Sequence, residues 1–117
     1  MAVAYRWWYR NADGSYPKNK WEKIGGAWYH FDNSGWMQTG WVKSGSSWFN
    51  LASSGIMVTG WQQIDGDWYC FDNSGAMSTG WVRSGGTWFY LKSSGVMACN
   101  ETIDGIGGFD ASGAWLG

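Results

Sequence analysis

Four tryptophans, Trp21, Trp41, Trp61 and Trp81, are each followed seven residues later by a second, Trp28, Trp48, Trp68 and Trp88, and then by Met37, Met57, Met77 and Met97. An indole face carries negative quadrupolar charge and a thioether is polarizable. Walls of Trp beside Met therefore suit a quaternary ammonium, which brings a positive charge but no hydrogen-bond donor. Ordinary cores are built mainly from Leu, Ile and Val, and Trp is rarely buried whole because its N–H needs a partner. Two Trp per repeat exceed what packing alone requires. Catalytic chemistry is poorly supplied by comparison. His30 is the only histidine, and no serine, cysteine or carboxylate recurs so as to pair a nucleophile with a base. His30 holds a slot filled elsewhere by Asn50, Cys70 and Tyr90, which reads as a tolerant strand position. No enzyme activity and no cofactor are expected, and without a CxxC or His-rich cluster there is no metal site.

The elements that must position these residues repeat with them. A fixed period of twenty residues means a solenoid of small units, each completing the apolar face of its neighbour. Four full units are expected at 21–40, 41–60, 61–80 and 81–100, after a partial hairpin at 1–20 and before a degenerate repeat or cap at 101–117. In each full unit a short run opening with Trp meets a Gly-containing turn (Gly25-Gly26, Ser44-Gly45-Ser46, Asp65-Gly66, Ser84-Gly85-Gly86) and then a second aromatic run. Aromatic β-formers flanking residues that accept positive φ predict a β-hairpin. A second punctuation, such as Asn33-Ser34-Gly35 or Ser93-Ser94-Gly95, turns the chain into the link that carries Met. The fold class is thus all-β, a solenoid or superhelix of consecutive hairpins. Strand alternation puts Tyr29 and Phe31 on one face and Trp28 on the other. Both faces are apolar, so no hairpin can stand alone.

A longer rhythm overlies the first. Unit 21–40 shares thirteen positions with 61–80, whereas 41–60 and 81–100 share a Trp-Val-x-Ser-Gly start and a Trp-Phe-x-Leu core. Either a duplicated pair or two chemically different junctions would produce this. After residue 100 Glu101 replaces the leading Trp and Gly107-Gly108-Phe109 replaces the aromatic run, as a terminal cap would. Towards the start, Trp7-Trp8 takes the place of Trp28-Tyr29, and Pro17 falls in the connector to the first full unit, where its missing N–H does least harm.

Composition bounds the partners. Leu, Ile, Val and Phe together number only 18 of 117 residues, so twelve Trp and six Tyr must supply the missing apolar area. A net charge of -1 with scattered Lys and Arg gives no footprint for nucleic acid or an anionic membrane surface. No apolar run approaches the ~20 residues of a membrane span, and Met1-Ala2-Val3-Ala4 is too short for a signal core, so the chain reads as a module of something larger. Cys70 and Cys99 fall at non-equivalent repeat positions. They read as incidental thiols, with a disulfide between neighbouring units left open.

Gly40-Trp41, Trp48-Phe49, Gly55-Ile56-Met57 and Thr59-Gly60-Trp61, with their counterparts in the other units, resemble the choline-binding or cell-wall-binding repeat of Gram-positive bacterial and phage surface proteins and lysins. The resemblance spans roughly residues 5–115. It implies a secreted, non-catalytic module at the bacterial cell wall, binding the choline of teichoic or lipoteichoic acids between consecutive hairpins and anchoring a separate domain. It also implies a site made from the leading and second-strand Trp of one repeat, an aromatic of the next and a nearby Met. On that pattern Trp61, Trp68, Met77 and Tyr90 form the fullest site. Trp21, Trp28 and Met37 would meet Asn50, Trp41, Trp48 and Met57 would meet Cys70, and Trp81 and Trp88 would face a cap without an aromatic pair. Two other readings stand beside it: a glucan-binding aromatic repeat, which would line its grooves with polar side chains, and a structural spacer whose tryptophans face one another in a homodimer.

Overall fold

The structure is a computed structural model, and it describes residues 7–117. The expected partial hairpin at 1–20 therefore falls partly outside the described residues. Two compact units divide the chain after Val58. In the first, β1 (Lys20–Ile24) pairs with β2 (Ala27–Phe31) and β3 (Gly40–Ser44) with β4 (Ser47–Leu51). In the second, β5 (Gly60–Ile64) pairs with β6 (Asp67–Phe71), β7 (Gly80–Ser84) with β8 (Thr87–Leu91) and β9 (Glu101–Ile103) with β10 (Gly107–Phe109). Every pair is an antiparallel two-stranded hairpin. The fold class is the all-β hairpin solenoid expected from the period.

Turn chemistry explains the hairpins locally. Gly25 and Gly26 have φ of 58° and 85°, Gly85 and Gly86 of 58° and 81°. Two consecutive left-handed residues make the type I′ turn whose twist matches its strands. Asp65 takes the same role at φ 51° before Gly66, a conformation that Asp tolerates better than most side chains.

Each exit turn then folds the link back on its own hairpin. Asp32 Oδ1 accepts the N–H groups of Ser34 and Trp36 at 2.9 and 3.0 Å, and Asp72 and Asp110 do the same for their turns. The returning chain makes single antiparallel bridges, Phe31 with Met37, Leu51 with Met57, Phe71 with Met77, Leu91 with Met97 and Phe109 with Trp115. At those bridges sits the core. Phe31, Leu51, Phe71, Leu91 and Phe109 are all buried, each contributing about 1.5–3 kcal/mol of burial free energy.

Burial grades along the strand as well as across it. In β2, Trp28 near the hairpin tip is exposed while His30 and Phe31 at the base are both buried, although they point to opposite faces. His30 and Asn50 are only 8% exposed. His30 is packed within its strand: its ring lies edge-on to Trp21 at 4.8 Å and its Nδ1 hydrogen-bonds Gln38 Oε1. Cys70 and Cys99 are free thiols, and burial, reinforced by Asp72, pushes the Cys70 thiol above its ordinary pKa. Pro17 is fully buried.

Candidate functional site: aromatic cages between stacked hairpins

Strand register decides which side chains share a face. In the second unit Trp81 lies opposite Tyr90 and Arg83 opposite Trp88, so these four point to one side of the hairpin, while Val82, Ser84, Thr87 and Phe89 point to the other. The first face carries the two indoles outward, and the second meets the hairpin before it. A cavity of about 310 Å³ results, lined by Trp61 and Trp68 of one hairpin, Ser84, Phe89 and Met97 of the next, and Ser112 of the last repeat. The Phe89 ring stands edge-on to Trp61 with centroids 5.2 Å apart. Trp61 Nε1–H donates to Ser84 Oγ at 3.4 Å.

The first unit repeats this arrangement. Phe49 stands edge-on to Trp21 at 4.9 Å, and Trp21 Nε1–H donates to Ser44 Oγ at 3.2 Å. The N–H of Met57 donates to the Trp28 carbonyl at 2.9 Å, and that of Met97 to the Trp68 carbonyl at 2.8 Å. Main-chain bonds of this kind tie Trp28 and Trp68 to the link of the following repeat. Met37 N–H reaches the Trp7 carbonyl in the same way, which gives Trp7 the backbone role of Trp28.

Two assignments made from sequence are corrected by this geometry. Tyr90 does not close the Trp61–Trp68 cage: it is the cross-strand partner of Trp81, its ring 5.2 Å from that indole and 6.3 Å from Phe109. His30, Asn50 and Cys70 stand likewise opposite Trp21, Trp41 and Trp61 of their own hairpins. That slot faces outward with the tryptophans, so the closing ring must come from the residue before it, Phe89 or Phe49. The methionines are also displaced by one repeat. Met97 rather than Met77 lines the Trp61–Trp68 cavity, and Met57 rather than Met37 is tied to Trp28. The reason is the antiparallel return of each link, which carries its Met to the face directed at the preceding hairpin. Met37, Met77 and Met97 alike lay their sulfurs against the exit turn of the following repeat, at Gly55, Gly95 and Gly113.

Trp41 and Trp48 stand perpendicular, 6.4 Å apart, with the Lys43 ammonium 6.0 Å from the Trp48 ring. Trp81 and Trp88 repeat that pairing at 6.1 Å, with the Arg83 guanidinium 5.8 Å from Trp88. Here the sequence reading missed a residue. Trp115 takes the backbone position of a Met, its N–H donating to the Trp88 carbonyl at 2.9 Å, and its ring stands edge-on to Trp81 at 5.2 Å. Trp81, Trp88 and Trp115 enclose a cavity of about 380 Å³. The last repeat is shorter than the others, which hid Trp115 from a fixed period of twenty. Alignment on the exit turn, Ser112-Gly113 with Ser94-Gly95, would have placed Trp115 over Met97.

Chemically these cages are π-walled and open to solvent, and the cage-facing indole N–H groups that can be traced are spent on Ser44, Ser84 and, for Trp115, the Ile106 carbonyl. Among the described residues no group of three His, Cys, Asp or Glu could hold a metal, and no helix is long and apolar enough to cross a membrane.

Comparison with known proteins gives a consistent set of matches. The family model described as the choline-binding repeat matches residues 18–59 and 58–101. No curated protein matches the sequence. Among solved structures, choline binding protein F from Streptococcus pneumoniae, in the presence of a peptidoglycan analogue, is similar over all of this chain and 39% of its own, with 40% identity and a TM-score of 0.87. The multimodular pneumococcal cell-wall endolysin from phage Cp-1, complexed with choline, is 47% identical over 79% of this chain and 28% of its own, with a TM-score of 0.68. The modular autolysin LytC from Streptococcus pneumoniae is 30% identical over 94% of this chain and 26% of its own, with a TM-score of 0.75. The chain thus spans well under half the length of each of these proteins.

Proposed function

This chain belongs to the choline-binding repeat family, and we propose that it is a non-catalytic anchoring module that holds choline groups of teichoic or lipoteichoic acid in cages between consecutive hairpins. The observation that carries this reading is the three-indole box of Trp81, Trp88 and Trp115. Its walls are π faces, and a quaternary ammonium is a cation that asks for such faces and for no acceptor. The glucan alternative fares less well there, because a sugar needs several donors and acceptors for its hydroxyls and this box is lined by indoles alone, with no hydroxyl, amide or carboxylate side chain.

Such a module acts at the bacterial wall. It concentrates whatever domain it is joined to on a choline-bearing surface, and several sites in one chain multiply a weak single contact into firm attachment. The relatives include a phage endolysin and an autolysin, in which such a module would serve a separate catalytic domain.

The experiment is retention on a resin bearing tertiary or quaternary ammonium groups. The protein should stay bound in about 1 M NaCl, where the Debye length is ~3 Å and plain ion exchange is screened, and should elute with free choline. Elution by salt alone, or by glucan oligosaccharides but not choline, would overturn the reading.

A further inference from the structure

The cages of the second unit are not chemically alike, and the difference lies in hydroxyl groups. The Trp61–Trp68 cavity includes Ser84 and Ser112 among its walls, whereas the terminal one is walled by Trp81, Trp88 and Trp115 alone. Ser84 Oγ accepts the Trp61 indole N–H at 3.4 Å. Accepting that bond uses a lone pair and leaves the hydroxyl proton of Ser84 unspent. Ser112 is in the opposite condition. Its hydroxyl donates to Asp110 Oδ1 at 2.7 Å, so what it turns to the cavity is acceptor capacity. The cage thus holds one donor and one acceptor beside its π walls.

The first unit carries the donor half of the same device, with Trp21 Nε1–H on Ser44 Oγ at 3.2 Å. Ser44 and Ser84 are the serines of the Trp-Val-x-Ser-Gly hairpins, so the forty-residue rhythm sorts the junctions by whether a hydroxyl stands behind the leading Trp. In the last hairpin β9 stops at Ile103, which pairs with Gly107 as Val82 pairs with Phe89, and no hydroxyl-bearing side chain lines the terminal cavity.

Resting on the choline reading above, we infer that the Trp61–Trp68 cage, through Ser84, selects a quaternary ammonium that carries an oxygen on its side arm, while the Trp81–Trp88–Trp115 cage reads the ammonium head alone. A side-arm oxygen, whether hydroxyl or phosphate ester, accepts from the Ser84 hydroxyl. An alkyl arm of the same size leaves that proton unpaired. Ser84 is in this sense a specificity-determining residue.

The test titrates the full chain with choline and with n-propyltrimethylammonium, an isostere in which a methyl replaces the hydroxyl, and follows the indole N–H resonances of Trp61 and Trp115 by NMR. At Trp61 choline should bind about threefold to tenfold more tightly than the isostere, the ratio that one net hydrogen bond supplies. At Trp115 the two should bind within a factor of about two. Ser84→Ala should abolish the preference at Trp61 while leaving isostere binding there unchanged, and Ser84→Thr should restore it. Phosphocholine, run in parallel, should show a preference over the isostere at Trp61 that Ser84→Ala removes. Equal preference at both indoles in the unaltered protein overturns the inference. So does a Ser84→Ala variant that weakens both ligands alike, since that would mean Ser84 merely orients the indole. If neither ligand moves either resonance, the choline reading itself has failed.

Discussion

A Cβ on Gly107 would lie 2.7 Å from Nε1 of Trp115 and 2.8 Å from the Gly117 carbonyl oxygen. Gly107 stands in β10 where Phe89 stands in β8, since Phe109 and Leu91, two residues on, make the corresponding bridges to Trp115 and Met97. The ring missing from the strand has been replaced by one from the link. Gly107 and Trp115 are therefore one substitution made in two places, and the empty side chain of the first makes room for the indole of the second.

Gly107→Ala is expected to lower stability by about 1–3 kcal/mol, because its φ of 123° is a region L side chains rarely adopt and the added carbon meets the indole. It should also weaken ligand binding at the terminal cage. Denaturant unfolding and the Trp115 indole signal measure the two effects separately. A variant as stable as the parent, with an unmoved Trp115, would contradict the close approach.

For a bare tetramethylammonium probe the tightest binding phase should belong to the three-indole cage, since indole is the best of the aromatic partners for a cation. Trp115→Ala should cost that phase about 0.5–2 kcal/mol, roughly twofold to thirtyfold, with the fold checked by circular dichroism. Loss of the tightest phase in Trp68→Ala or Trp28→Ala, with Trp115→Ala unaffected, would reverse the ranking.

Choline should raise the melting temperature. The cages join residues of successive hairpins and do not exist in the unfolded chain, so each site adds roughly 2.7 kcal/mol when free ligand is a hundredfold above its dissociation constant. Calorimetric scans across a choline series would show the rise. A melting temperature that saturating choline leaves unmoved would place the ligand elsewhere.

Acid should loosen the exit turns. Hydrogen bonds from the Ser74 and Ser112 side chains, helped by backbone N–H groups, hold the carboxyls of Asp72 and Asp110 below their ordinary pKa. A depressed folded pKa stabilises above the unfolded value of about 3.9, and that stability is lost as pH falls through the folded value. Stability should be level from neutral pH down to about 5 and decline below about 4. Asp72→Asn should flatten that decline, as a melting series against pH would show. An acid limb unchanged by the substitution would mean other carboxylates govern it.

The sequence by itself determined the repeat, the hairpins and the tryptophans that recur with the twenty-residue period. These depend on local physics: Gly25-Gly26 and Asp65-Gly66 accept the positive φ of a tight turn, and a two-residue turn sets the register that puts the Trp of both strands on one face. Which hairpin each side chain serves was decided by tertiary structure. Phe89 and Tyr90 are adjacent aromatics in a strand apolar on both faces, and nothing local says which of the two faces the hairpin before. Met97 and Met77 are equivalent in sequence, yet only the return of the link shows that a methionine joins the cage of the preceding repeat. Ser84 reaches Trp61 across 23 residues, and Gly107 makes room for a Trp that stands out of the twenty-residue period. Such contacts arise from stacking one hairpin on the next. Stacking depends on which apolar face is turned toward the neighbour, a choice that a pattern apolar on both faces does not record.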